Sequence, residues 1–236
     1  MSNIKGKGHC QSCPIRHLSI FAQLPPERLP DIQLFQPTVM IYAQGETVYR
    51  QGEVAASAFT LRKGMVKLTK SLPNGRTQII RLLGAGELFG FDGFIAETHN
   101  HAAISLSPIE VCRLPFNELL ALKRQNPEIE NAMTQRWLQY LHDMEDRLVE
   151  LGAKKAPERL ASFLIRWYES NPMTDQGVHL PLSRGEMGDL LGLTIETVSR
   201  FLSEWRRQGY LSEHKGYIQL PDREALRKSA CSVGSC

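Results

Sequence analysis

Residues 183–200 read Ser183-Arg184-Gly185-Glu186-Met187-Gly188-Asp189-Leu190-Leu191-Gly192-Leu193-Thr194-Ile195-Glu196-Thr197-Val198-Ser199-Arg200. Serine followed three residues later by glutamate is a capping box, in which each side chain satisfies an amide that a helix start leaves open. Met187, Leu190 and Leu191 supply the buried side of that short helix. Gly192-Leu193 turns the chain, and Thr194 caps a second helix. On a wheel of about 100° per residue, Val198, Phe201, Leu202 and Trp205 gather on one side. Glu196, Ser199, Arg200 and Ser203 gather opposite. Two short helices joined at a glycine, the second apolar on its inner side, predict a helix-turn-helix. Beyond it, Gly209-Tyr210-Leu211 and Tyr217-Ile218-Gln219-Leu220 flank His214-Lys215-Gly216, a small hairpin that predicts a wing.

The outer side of the second helix carries the chemistry. An α-helix fits the major groove of double-stranded DNA, where arginine donates twice to guanine and glutamate accepts from cytosine N4. Arg200 and Glu196 are candidates for those contacts. Ser199 can reach a base or a phosphate, and Thr194 and Thr197 stand at the same helix start. The competing reading makes Glu196 and Arg200, spaced i and i+4, a solvated ion pair.

Upstream the period changes twice. From about Phe35 to Leu114 the chain is broken by glycine at 45, 52, 64, 75, 84, 86 and 90, with short apolar stretches between and a hairpin tip at Pro73-Asn74-Gly75. Many short strands separated by turn signals predict an antiparallel β-barrel or jelly roll. Asn126-Pro127 then opens a helix, asparagine as cap and proline at the first helical position. Met133, Trp137, Tyr140, Met144, Leu148 and Leu151 form one stripe along it. A long helix with large apolar side chains on one stripe is expected to bury them against a copy of itself, although packing within its own domain would serve as well. Lys154-Lys155-Ala156-Pro157 marks a hinge, and Pro157 opens a further helix through Tyr168. The expected division is a cysteine-containing arm (1–20), a β-barrel sensor (21–125), a dimerisation helix (126–152), a winged helix-turn-helix (153–230) and a tail (231–236). The class is α+β.

Composition restricts the alternatives. Charged residues are 22% and the formal net charge is +3, so a nucleic-acid face must be local rather than a global excess. No apolar run approaches the roughly 18 residues that span a bilayer, and the first thirty residues lack the apolar core of a secretory signal. Membrane association is therefore not expected, and the reading places the protein in a reducing cytoplasm. There five cysteines point to metal or redox work rather than a disulfide framework.

Leu193-Thr194-Ile195-Glu196-Thr197-Val198-Ser199-Arg200 resembles the recognition helix of the Crp/Fnr family. The resemblance extends over the glycine-punctuated barrel, the long helix and the winged domain. It implies a transcription regulator that is not an enzyme, a homodimer on a palindromic site, and RNA polymerase as a partner. The Glu-x-x-Ser-Arg pattern implies TTGAT-type half-sites, with base contacts from Glu196, Ser199 and Arg200.

The family's barrel often holds a cyclic nucleotide through a Gly-Glu pair and a downstream Arg-Ser. Gly86-Glu87-Leu88 stands here, yet no Arg or Lys occurs between Arg81 and Arg113, and His101-Ala102 lies where the phosphate ligand is expected. A buried phosphate without cationic or amide partners is costly, so cyclic AMP is not expected. Cys10-Gln11-Ser12-Cys13 resembles the amino-terminal cluster motif of the Fnr oxygen sensors. That motif adds a third cysteine six positions on, where Ser19 stands, and a fourth before a Pro-Phe, matched by Cys112. The resemblance thus implies an iron–sulfur site at Cys10, Cys13 and Cys112 with one thiolate missing, for which Ser19, His9 or His17 could stand in. A thiol–disulfide switch, an inert relic, and a gas-sensing haem on His99 or His101 stay open. Cys231 and Cys236 lie in the expected tail. From the enzyme class, a thiol oxidoreductase using Cys10 and Cys13 would want a βαβ context that does not follow. A passive ligand-binding barrel on an oligomerising rod is the third alternative.

Overall fold

The computed structural model describes residues 3–10, 12–22, 24–25, 27–28, 32 and 37–230. Phe35, Cys231 and Cys236 lie outside them. The chain divides into two units, Met1–His142 and Asp143–Cys236. No helix among the described residues is long and apolar enough to cross a membrane.

The first unit is a roll of two antiparallel sheets. Its strands are β1 (Asn3–Lys7), β2 (Thr38–Tyr42), β3 (Thr47–Tyr49), β4 (Ser57–Lys63), β5 (Val66–Ser71), β6 (Thr77–Leu83), β7 (Leu88–Phe89), β8 (Ala102–Ser105) and β9 (Ile109–Pro115). One sheet runs β1-β2-β9-β4-β7 and the other β3-β8-β5-β6. Val39 and Tyr42 of β2 are buried on opposite faces, Val39 in the cluster with Cys112 and Leu114 and Tyr42 in the cluster with Phe59 and Leu61. By contrast, β4 is buried continuously over its first five residues, because β7 and β9 pair with both its edges. Pro73-Asn74-Gly75 closes the β5–β6 hairpin, with Gly75 at φ +83° and the Leu72 amide donating to the Arg76 carbonyl at 2.9 Å.

Three features differ from the expectation. First, the arm adds a strand to the roll: β1 pairs antiparallel with β2, Lys7 opposite Thr38 and Asn3 opposite Ile41. An edge strand held by backbone bonds needs no apolar alternation, and Asn-Ile-Lys-Gly-Lys has none. Second, helices α1 (Gly93–Ala96) and α2 (Phe116–Gln125) lie inside the stretch read as barrel; α2 buries only Leu119 and Leu122. Third, the long helix α3 (Pro127–Ala153) is not a separate body, since the boundary between the units falls within it. Its first turns bury Ile129, Ala132 and Met133 in a core shared with Leu114, Leu119 and Val39.

The second unit holds the remainder of α3 with α4 (Ala156–Ser170), β10 (Met173–Thr174), β11 (Gly177–His179), α5 (Arg184–Leu191), α6 (Ile195–Arg207), β12 (Ser212–His214), β13 (Tyr217–Gln219) and α7 (Arg223–Ala230). Helix α4 buries Leu160, Ala161, Leu164 and Ile165 on one face, and the Trp167 indole donates to the His179 carbonyl at 3.0 Å. Strands β10-β11-β13-β12 form one sheet behind it.

Candidate DNA interface, thiols and cavity

Helix α5 begins at the capping box: the Ser183 hydroxyl accepts from the Glu186 amide at 3.2 Å, and the Glu186 carboxylate accepts from the Ser183 amide at 2.8 Å. It ends at Gly192 in the left-handed region, φ +63°, where a side chain on Cβ would be strained. Gly188 permits the closeness of the turn, because a Cβ there would meet the Leu193 carbonyl oxygen at 2.6 Å. Thr194 then caps α6, its hydroxyl accepting from the Thr197 amide at 3.3 Å. Val198, Leu202 and Trp205 are buried beneath α6. Phe201, expected to join them, is only half-buried; it stacks on Trp205 and lies 4.8 Å from the Arg200 guanidinium.

The opposite side is presented to solvent. Thr194, Glu196, Arg200 and Ser203 are exposed, and Thr197 and Ser199 are half-buried. Among the described residues no ion pair joins Glu196 to Arg200; the solvated-pair reading has no contact behind it. The Glu196 carboxyl is held below its usual range, first by its own backbone amide and then by the Thr194 hydroxyl. Arg184, at the start of α5, grips Glu213 of β12. That link between helix and wing escaped the sequence reading, because a charge pair between distant elements leaves no periodic trace.

The three described cysteines, two on the arm and Cys112 on β9, stand at the junction of arm and roll. Cys10 and Cys112 are buried in one apolar cluster with Val39, while Cys13 is half-buried. Cys112 lies opposite Val39 in the β2–β9 register. Burial pushes the Cys10 thiol up to about 12, and the neighbouring Cys112 and Cys13 add to that. Burial raises Cys112 to about 11 against the opposing pull of Arg62. Both thiols are protonated at neutral pH. Ser19 is buried with its hydroxyl already used, donating to the Arg16 carbonyl at 2.8 Å and accepting from the Phe21 amide at 3.2 Å. Among the described residues no three His, Cys, Asp or Glu side chains converge as metal ligands. A four-thiolate cluster site does not fit this arrangement, in which Cys10 and Cys112 sit in an apolar core and the Ser19 hydroxyl is committed.

A cavity of about 310 Å³ opens between the roll and the first part of α3. Two guanidinium groups line it, those of Arg81 and Arg136, which corrects the expectation of a cation-free pocket; Arg136 comes from a helix the local sequence could not connect to the barrel. Both are already engaged. Arg81 donates to Glu87 at 2.7 Å and lies 4.5 Å from the Tyr140 ring, and Arg136 donates to the Leu18 carbonyl. The second Glu87 oxygen accepts from the Gly84 amide. Asp92 faces His99 at 3.4 Å and His101 at 3.3 Å, His101 contacts the Tyr49 hydroxyl at 2.9 Å, and Tyr49 stacks on His99 at 3.7 Å. The Nδ1 atoms of both histidines are thus turned to a carboxylate.

The stripe on α3 divides between two environments. Met133 is buried in the roll and is not available to a second copy, and Tyr140 is half-buried under Arg81. Met133 thus serves the roll's own core, while Tyr140 keeps part of its surface open. Trp137 meets Phe91 edge-on yet stays 45% exposed; Leu138 and Leu141 are each 52% exposed and Leu148 is 72% exposed. Met144 and Leu151 are half-buried.

Two family models match the chain: a Crp-like helix-turn-helix domain over residues 158–229 and a cyclic nucleotide-binding domain over residues 39–126. The nitrogen fixation regulation protein FixK of Bradyrhizobium diazoefficiens is 30% identical over 226 residues, covering 93% of this chain and 93% of its own length. The fumarate and nitrate reduction regulatory protein of Escherichia coli strain K12 is 30% identical over 225 residues, covering 94% of this chain and 90% of its own. Among solved structures, FixK2 of Bradyrhizobium japonicum superposes with a TM-score of 0.74 at 29% identity, over 84% of this chain and 99% of that one. With a roll, a capped helix-turn-helix and relatives of this identity along nearly its whole length, the chain belongs to the Crp/Fnr family of DNA-binding transcription regulators.

Proposed function

We propose that this chain works as a homodimer reading a palindromic TTGAT-like site through Glu196, Ser199 and Arg200, and that its signal is oxidative, entering through Cys10, Cys13 and Cys112. The observation that supports the DNA reading is the exposure of Glu196 and Arg200, with no ion pair between them among the described residues, on a helix fixed from below by Val198, Leu202 and Trp205. Arg200 can turn its guanidinium fork to a base edge, and the Glu196 carboxylate can accept from one. Two such helices about one DNA turn apart require a dimer, and the exposed apolar side chains of α3 supply a surface for one. RNA polymerase contact and a non-enzymatic role follow from the family.

The oxidative signal is supported by three thiols placed where the arm meets the roll. Cyclic AMP is not the expected ligand, because Glu87 and Arg81 already satisfy one another. The test is a gel shift of the full chain, fully reduced, on a palindromic TTGAT probe and on a probe with scrambled half-sites. The reading expects at least about tenfold preference for the palindrome, well inside the specificity ratios of such proteins. Equal binding to both probes would refute it.

A further inference from the structure

We propose that Cys13 is the oxidant-facing thiol and Cys112 its resolving partner, so that a hydroperoxide closes a Cys13–Cys112 disulfide between the arm and β9. This deepens the oxidative reading above and rests on it.

The three thiols differ in access. Cys10 and Cys112 are buried in the apolar core, whereas Cys13 lines an open cleft of about 290 Å³. Around that cleft stand Lys5, Lys7, His9 and Arg62, with Glu110 as the acidic member. Lys5 and Arg62 are both paired with Glu110 there, and of the three thiols it is the partly exposed one, Cys13, that a dissolved oxidant can reach. Cys13 and Cys112 share their neighbours. Val39 lines the cleft with Cys13 and lies opposite Cys112 in the sheet, and Arg62 lines the cleft while its charge acts on Cys112. The arm comes this close because Gly8 carries no side chain: a Cβ there would lie 3.2 Å from Pro37 and 3.4 Å from Val39. Cys10 is less accessible to an oxidant than Cys13. Its carbonyl accepts from the Cys13 amide at 3.4 Å, closing a turn, while its own side chain enters the core.

The chemistry balances with a hydroperoxide alone. The Cys13 sulfur attacks the distal oxygen of hydrogen peroxide, the O–O bond breaks, and a sulfenic acid and water result. The Cys112 sulfur then attacks the Cys13 sulfenic sulfur; the S–O bond breaks, the Cys112 proton leaves with the hydroxyl as a second water, and the disulfide forms. Two thiols are oxidised and one peroxide is reduced to two waters.

The consequence reaches α3 through the arm. The Arg16 amide donates to the Cys13 carbonyl at 3.1 Å, opening the short helical turn Arg16–Leu18, and the Leu18 carbonyl accepts from Arg136 of α3, next to Trp137. Leu18 also packs on the Gly86 turn, where a Cβ would fall 2.3 Å from its own Cβ. Drawing Cys13 toward the sheet therefore pulls on the one turn that holds both the cavity rim and α3.

The test uses the full chain, treated with chelator, reduced and exposed to hydrogen peroxide with and without dimedone. Non-reducing peptide mass spectrometry should show a Cys13–Cys112 link, retained in Cys10→Ser and lost in Cys13→Ser. In Cys112→Ala, a substitution the apolar core tolerates, dimedone should trap Cys13. Independently of any variant's folding, brief iodoacetamide labelling of the native reduced protein should modify Cys13 at least about tenfold faster than Cys10 or Cys112. A link between Cys10 and Cys13, first labelling at a buried cysteine, or iron and sulfide retained by these cysteines in anaerobically isolated protein would each overturn the proposal. None of these readouts involves DNA, so failure of the gel shift and failure of the disulfide are separable.

Discussion

Arg184, the first residue of α5, holds Glu213 of the first wing strand with two hydrogen bonds of 2.7 and 2.6 Å. Both side chains are partly buried, at 35% and 18% exposure, so this fork-to-carboxylate bridge is screened less than a surface pair. It fixes the wing relative to the helix pair that presents α6. Glu213→Ala should cost about 1–2 kcal/mol of stability, and Arg184→Ala in the same background should add little. Thermal unfolding of both single variants and the double variant measures the coupling; additive effects would mean that the wing is held by the β12–β13–β11 ladder alone.

Arg200→Ala should weaken binding to the cognate palindrome by about 1–3 kcal/mol while relaxing preference at one base pair. The slope of affinity against salt should barely change, because a base contact releases no counterion. Competition binding against half-sites varied one position at a time reads both effects. Uniform weakening on every sequence, with a shallower salt slope, would make Arg200 a phosphate contact instead.

Why these residues were legible and others were not follows from the range of the forces. Ser183, Glu186, Gly192 and Thr194 cap and turn helices through bonds spanning three or four residues, so their spacing announces them. The junction of Cys10, Cys13 and Cys112 depends on β1 pairing with β2, a polar edge strand whose stabilisation lies in backbone bonds that side chains do not encode. Met133 and Leu148 look alike on a helical wheel. Which of them faces home and which faces out is decided by an open roll far away in sequence. The Tyr49–His101–Asp92–His99 chain was likewise invisible, because it joins a strand, a loop and a short helix with no shared period.

Glu150 gives a pH dependence with a defined sign. Burial alone would raise its carboxyl, but hydrogen bonds from Arg166, one of 2.7 Å, and from Lys154, also 2.7 Å, bring it down to about 2. Its ordinary value is 4.5. A carboxyl depressed by folding contributes stability that is fully present above the unfolded value and is lost as pH falls toward the folded one. That window runs from about 4.5 down to about 2. Glu150→Gln should therefore destabilise the second unit at pH 7, by on the order of 1 kcal/mol given the exposure of Arg166. The difference from the parent should shrink through the acid window. Denaturant titrations at pH 7 and pH 3 compare the two; a gap that widens at low pH would contradict the assignment.

The last prediction concerns the proposed dimer face. Trp137, Leu141, Met144 and Leu148 recur at gaps of 4, 3 and 4 along α3, the spacing of a coiled-coil seam. Leu138, Leu141 and Leu148 stand open to solvent although nothing within the chain covers them among the described residues. Met133, one helical turn before Trp137, is spent on the roll's own core. The two positions should therefore fail in different ways. Leu141→Glu places a charge in the seam and should give a folded monomer, since an unpaired ion cannot be buried cheaply against its own image. Met133→Ala removes buried volume and should lower stability by about 2–5 kcal/mol while leaving folded protein dimeric. Sedimentation velocity reports assembly, calorimetry reports stability, and the palindromic probe reports the loss of paired half-sites. A Leu141→Glu protein that still sediments as the parent dimer would place the interface elsewhere on the molecule. A Met133→Ala protein that is stable but monomeric would return that residue to the seam.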